Sequence, residues 1–264
     1  MNRAGKHARI LRELARIGAI RKSQLKVEFW SQVVMDTLWY TAHITVFEVL
    51  FRHTGSIAGW TRPEVRVFLG FLFVSDAFMM MWLGQVWHFA EDLKNGELDS
   101  VRVRPASPVI VYFFRSFSLE AGMNIAIAGS YLVFGLAAYP GALGPMAPLR
   151  VLWGLALTWW TQIVLCVLFS IPELYILNSD IGRFLRELFM AVEDRPLDIF
   201  TRRVKAFFLY VVPVGAMVQV PASLVLGRWS VLEGVAMSAF MVAAGFAVFA
   251  LWKASFRRYE SAMG

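Results

Sequence analysis

The sequence predicts an all-α integral membrane protein: six transmembrane helices behind an N-terminal amphipathic interfacial helix, with both termini cytoplasmic. Three observations carry this expectation. Apolar residues make up 58% of the 264 residues, charged residues only 17%, and mean hydropathy is +0.56, unlike the usual soluble mixture. Apolar runs recur at 29–50, 67–87, 117–138, 151–177, 206–226 and 231–252, each long enough to cross a hydrocarbon core of about 30 Å. Lys and Arg are distributed unevenly over the segments that join these runs.

Orientation follows from that imbalance, because positively charged loops stay on the cytoplasmic side. Six alternating spans put the N-terminal segment, the stretch after the second run, the stretch after the fourth run and the tail on one face. That face carries twenty-one of the 26 Lys and Arg; the other five are Arg52, Arg62, Arg66, Arg150 and Arg228. The chain divides into an interface helix (1–28), a six-span domain (29–252) and a cytoplasmic tail (253–264), with cytoplasmic segments at 88–115 and 178–205 inside the six-span domain. The net charge of +7 then reads as topology and attraction to anionic lipid, and not as nucleic-acid binding.

Taken in order, residues 1–28 have a helical period. Ile10, Leu11, Leu14, Ile17 and Gly18 share one face and Arg9, Arg12 and Arg16 the opposite one, the pattern of a helix lying along the inner membrane surface. No apolar core of a signal peptide precedes the first run, so that run is read as its own insertion signal. Thr61 with Pro63 marks the start of the second helix, and Gly96 supplies a left-handed stop near its end. Ser107-Pro108 restarts the chain for the third run. The fourth run is longer than a span needs and is expected to tilt. Asn178-Ser179-Asp180 is expected to cap an amphipathic helix carrying Ile181, Leu185, Leu188 and Val192. Pro213 and Pro221 interrupt the fifth run.

The search for catalytic chemistry is negative. There is no phosphate-binding Gly-x-x-x-x-Gly-Lys-Ser/Thr loop, no Gly-x-Ser-x-Gly elbow, no His-Glu-x-x-His pair and no Cys-x-x-Cys. The single cysteine, Cys166, and four scattered histidines leave no expected disulfide or metal site. The chain is therefore not expected to be an enzyme, and no catalytic or metal-binding residue is assigned.

Charged groups inside spans cost about 2.5–3.5 kcal/mol on insertion scales and need a reason. Asp36 and His43 share a face of the first run, and Asp76 sits near the middle of the second. They are either a polar patch on a translocation path or interior acids satisfied by Gln, Asn or His on neighbouring helices. Pro213 and Pro221 suit a gate. Met79-Met80-Met81 reads as adaptable packing, and small residues four apart (Ala126/Ser130, Ala239/Ala243/Ala247) permit close helix approach.

Between the second and third runs lies a turn-rich elbow. Gly96-Glu97-Leu98-Asp99 followed by Arg104-Pro105-Ala106-Ser107-Pro108 resembles the signature of ABC type-two permeases, in particular a bacterial six-span subfamily whose elbow reads Gly-x-Leu-Asp, then Arg/Lys-Pro-x-x-Pro. A second similarity is Arg195-Pro196-Leu197-Asp198-Ile199-Phe200, leading to Val212-Pro213 and Val220-Pro221-Ala222. The resemblance implies one membrane half of an ATP-driven exporter in the bacterial inner membrane. It would pair with a second permease subunit, the same or homologous, and with separate ATPase subunits that bind ATP and Mg. Glu91, Asp92, Gly96, Glu97, Leu98, Asp99, Arg104, Pro105 and Pro108 would form the segment coupled to the ATPase, with apolar Leu98, Val101 and Val103 seated in its groove. Leu185, Leu188, Arg195 and Pro196 would make a second cytoplasmic contact. The N-terminal helix would be either a topology anchor or a lever under the ATPase.

By family habit the cargo would be hydrophobic or amphipathic: a lipid, a lipid-linked glycan or a drug-like molecule. One departure stands out. Better-known members have an outer re-entrant helical pair before the last span, and the link 227–230 leaves no room for one unless Pro213–Pro221 breaks the fifth run. The rival reading is a proton-coupled secondary transporter using Asp36, His43 and Asp76; the lack of an inverted repeat counts against it.

Overall fold

The computed structural model describes residues 26–102, 107–115, 117–176 and 180–259. The expected interface helix up to residue 25, Val103, Arg104 and Pro105 of the elbow, Asn178 and Ser179 of the expected cap, and tail residues from 260 onward lie outside them. Among the described residues the chain is helical, with one isolated bridge between Ile57 and Trp60.

Helix α1 (Lys26–His53) leads into a turn, and α2 (Arg62–Phe78) follows. Thr61 and Glu64 close a capping box at the start of α2, with Pro in its first turn, so the orphan N–H groups there are satisfied locally. After a π turn (Met79–Leu83) and a 3-10 turn (Gly84–His88), α3 (Phe89–Lys94) completes a 33-residue rod. The elbow comprises α4 (Glu97–Arg102) and α5 (Pro108–Phe113), and α6 (Leu119–Ala137) returns. Then come α7 (Ala147–Ser170) and the amphipathic α8 (Ile181–Glu193). A broken stretch contains α9 (Arg202–Ala206) and α10 (Gln219–Val225), before the long α11 (Val231–Arg258).

Among the described residues three rods are long and apolar enough to cross a membrane outright: Arg62–Lys94, Ala147–Leu174 and Val231–Arg258. A fourth candidate, Arg202–Val211 with Val214–Val225, qualifies only as a pair bent by 75°. The fifth run, expected to be interrupted by Pro213 and Pro221, is thus broken at the first of them. Pro213 sits at the bend, where it has no N–H to donate and its ring is incompatible with a continuous helix. Pro221 does not break its helix, because it falls in the first turn of α10, where the missing N–H has no partner to lose.

Helix α2 is the central pillar, with Val65, Phe68, Leu69, Phe71, Leu72 and Phe73 all buried. Its closest neighbour is α6, and two glycines allow the approach: a Cβ at Gly70 would lie 2.7 Å from Leu132 Cα, and one at Gly135 would lie 3.1 Å from the Arg66 carbonyl. The expected Ala126/Ser130 pair does not take this role; Ser130 is exposed and bonds back to the Ala126 carbonyl. On α1, Thr37, Thr41 and Thr45 likewise donate to the carbonyls four residues earlier, which hides hydroxyls on an apolar surface. On α11, Leu232, Val235, Phe246 and Leu251 stay exposed, as suits a lipid-facing helix.

Candidate functional site

The elbow is a stapled unit. Asp92 is buried and accepts hydrogen bonds from Gln85 Nε2 (2.6 Å), Tyr112 Oη (2.5 Å) and Arg115 Nη2 (2.7 Å). Arg115 also reaches Glu97 Oε2 at 2.8 Å and lies over the Tyr112 ring. Charge-assisted bonds of this kind are the stronger ones, and here they tie the foot of the α2–α3 rod to the α5 segment. Gly96 turns the chain with φ +68°, the left-handed region its lack of a Cβ permits.

Leu98 does not occupy the surface position expected of it. Leu98 and Val101 are 1% and 2% exposed and belong to the chain's own core with Phe89, Tyr112 and Trp252. The short helix α4 turns its apolar side inward, so no partner groove is needed to bury them. What the elbow presents outward is Glu91, Lys94, Asn95, Glu97 and Ser100. Asp99 is half-buried and Pro108 opens α5.

The 178–205 stretch also departs from expectation. Helix α8 packs within the bundle: Arg186 is 1% exposed, donates to the Val86 carbonyl at 2.9 Å and lies 4.0 Å from the buried Glu173. Leu185 packs against the core near Phe169, Pro196 is buried, and Leu188 and Arg195 are exposed. Farther on, Asp198 accepts a 2.8 Å bond from Trp60 Nε1 and pairs with Lys205 Nζ. Trp60 closes the 54–61 turn, and Arg228 holds that turn through the Gly59 carbonyl and Glu64. Residues 198 and 228 therefore lie at one end of the bundle. The bent pair between them leaves that end and comes back to it. Tyr210, near its bend, meets Phe240 edge-on, between two and three turns into α11. A cytoplasmic 178–205 loop and an outer 54–61 turn cannot both stand.

Within the bundle the sequence-expected polar residues divide. Asp36 is buried and accepts from Gln32 Nε2 at 3.0 Å and from Asn124 Nδ2, the satisfied-interior alternative. His43 contacts the Trp39 carbonyl at 3.1 Å and lies 3.7 Å from Asp194. Asp76 instead lines a cavity of about 290 Å³ together with Glu187, Glu193 and Asp194. Trp39, Trp87, Met79, Met80 and Met190 form its apolar wall, and Gln162 reaches it from α7. The two methionines come from the π turn, which rotates side chains out of helical register, a distortion often found at functional sites. Glu187, Glu193, Asp194 and Gln162 were not foreseen; for the three acids the amphipathic period of α8 was the only signal, and it did not say which side faced water. Among the described residues no three His, Cys, Asp or Glu side chains are arranged to hold a metal ion.

A helical bundle with several membrane-length rods, a stapled elbow and a polar cavity defines a multi-pass membrane protein. The model of the family described as ABC-2 family transporter protein matches residues 37–263, and the chain belongs to that family. It is the membrane component of an ABC transporter, a permease. No curated protein and no solved structure matches the chain.

Proposed function

We propose that this chain is the membrane-spanning subunit of an ATP-driven exporter in the bacterial inner membrane. It pairs with a second permease subunit and is energised by separate ATPase subunits, which bind ATP and Mg. The family match over residues 37–263 carries this reading, since permeases of this family normally work with ATPase partners. The Asp92 staple supports a coupling role for the elbow. A push on exposed Glu91, Lys94 or Glu97 reaches the α2–α3 rod and α5 together, rather than dissipating in a loose loop. Arg104 and Pro105 belong to the same proposed segment.

For the membrane path we propose six crossings: α1, the α2–α3 rod, α5–α6, α7, residues 181–194, and α11. The bent pair at 202–225 then forms a re-entrant hairpin at the outer face, with Pro213 at its tip. The Trp60–Asp198 bond supports this assignment. It moves Arg195, Arg202, Arg203 and Lys205 outward, four of the twenty-one inner cations, leaving seventeen against nine. Both termini stay cytoplasmic on that count.

The cargo is hydrophobic or amphipathic. The test is reconstitution with the ATPase that co-purifies with this chain, followed by uptake into inverted vesicles with ATP or with a proton gradient alone. ATP-dependent uptake that survives collapse of the gradient supports the exporter. Uptake that needs the gradient and ignores ATP points to the proton-coupled rival.

A further inference from the structure

The acidic cavity is lined by more carboxyl groups than basic ones. Four carboxylates face it: Asp76, Glu187, Glu193 and Asp194. His43 lies 3.7 Å from Asp194, and Arg183 lies 4.0 Å from Glu187. Among the described residues no Lys or Arg forms an ion pair with Asp76 or Glu193. A buried carboxylate without a cation is costly, and the cost falls when a cation arrives with hydrogen bonds to give.

A second, independent observation comes from α7. Gln162 is 1% exposed and lines the same cavity. Its Oε1 accepts from Ser75 Oγ at 3.1 Å, while its Nε2 has no partner. Glu193 Oε2 is also buried and unpartnered. The cavity thus has an unused amide donor on α7 and an unused carboxylate oxygen on α8. Bound water could serve one of these groups, but a single ligand serves both if it carries an ammonium and an acceptor oxygen a few bonds away.

We propose that the cavity binds the head of an amphipathic amine, a protonated β-hydroxyamine or an amino sugar. The ammonium lies between Asp76 and Glu193, the oxygen accepts from Gln162 Nε2, and the apolar body lies along Trp39, Trp87 and the methionines. The carboxylates do not converge as a metal ion requires, which favours an extended organic cation over an inorganic one. The volume of about 290 Å³ is at the lower edge of ordinary ligand pockets, about 300–1,000 Å³. It therefore takes the head and leaves the tail outside. This rests on the permease reading and names the class of its cargo.

The test uses the full chain in nanodiscs of zwitterionic lipid, with empty discs subtracted. Three fluorescent probes share a naphthyloxy group and end in a β-hydroxyamine, a diol or a carboxylate. The hydroxyamine is expected to bind about tenfold more tightly than the diol, with no binding of the carboxylate, from the gain of charge-assisted bonds. Asp76→Asn and Glu193→Gln, which keep shape and remove charge, should each erase that preference. Leu232→Ala on the exposed side of α11 should leave it intact. Trp87→Ala, on the half-exposed wall, should weaken hydroxyamine and diol alike, and it serves should a carboxylate variant fail to fold. Equal binding of the three probes, or a preference that survives both carboxylate variants, overturns the proposal. If that happens while the chain still co-purifies with an ATPase, the permease reading stands alone. Amine-selective binding by a chain with no ATPase partner would uphold the site and sink the ATP-driven exporter.

Discussion

Trp60 donates its indole N–H to Asp198 across 138 positions of sequence, at 2.8 Å. The indole is fully buried, and the same carboxylate takes Lys205 Nζ and Gln219 Nε2. Four segments are thereby fixed to one another: the 54–61 turn, the turn after α8, the end of α9 and the start of α10.

Asp198→Ala should therefore destabilise the detergent-solubilised chain by about 1–3 kcal/mol, the cost of leaving buried donors unpaired. Thermal unfolding followed by size-exclusion measures it. Burial pushes the Asp198 carboxyl up, but bonds from Lys205 and Trp60 outweigh it and hold the group below its ordinary value. A carboxylate so depressed contributes fully at neutral pH, and its contribution is lost as pH falls through the folded value. The gap between wild type and variant should be constant from neutral pH down to the usual carboxylate range and should close only below it.

Sidedness is tested by labelling in a Cys166→Ala background. Thr201→Cys and Gly55→Cys should both react with an impermeant maleimide added from outside, while Asn95→Cys should not. Reaction of Thr201→Cys only after the membrane is opened would restore a cytoplasmic 178–205 loop and remove the re-entrant hairpin.

Much of the fold was legible because local chemistry decides it. Thr61 and Glu64 form their capping box, and Gly96 takes its positive φ where the sequence placed a stop. The rest was hidden for physical reasons. A hydropathy window over 206–226 measures apolarity and is blind to direction, so Pro213 marked an interruption without showing how far the chain turns, which is 75°. The amphipathic period of α8 is equally compatible with water and with an acidic cavity, and Glu193 and Asp194 were missed for that reason. Leu98 reads as a docking residue only when its surroundings are unknown; Phe89, Tyr112 and Trp252 supply a core for it.

The elbow should separate stability from coupling. Leu98→Ala removes a buried side chain and should cost about 2–5 kcal/mol, read as loss of folded protein in the membrane fraction. Glu91→Lys with Lys94→Glu changes only exposed groups, so the chain should fold normally, within about 0.5 kcal/mol, and lose its hold on the ATPase. If the surface pair leaves the complex intact, the contact lies elsewhere on the chain.

The central claim is that this permease depends on a separate ATPase held at its elbow, and purification from native membranes tests it most directly. Tagged chain is extracted in mild detergent, and ATP hydrolysis by the eluate is measured beside the same preparation carrying Glu91→Lys and Lys94→Glu. The account predicts hydrolysis with the wild-type chain and its loss with the variant, at equal amounts of folded permease. An eluate containing the folded wild-type chain and no ATP-hydrolysing subunit would contradict it.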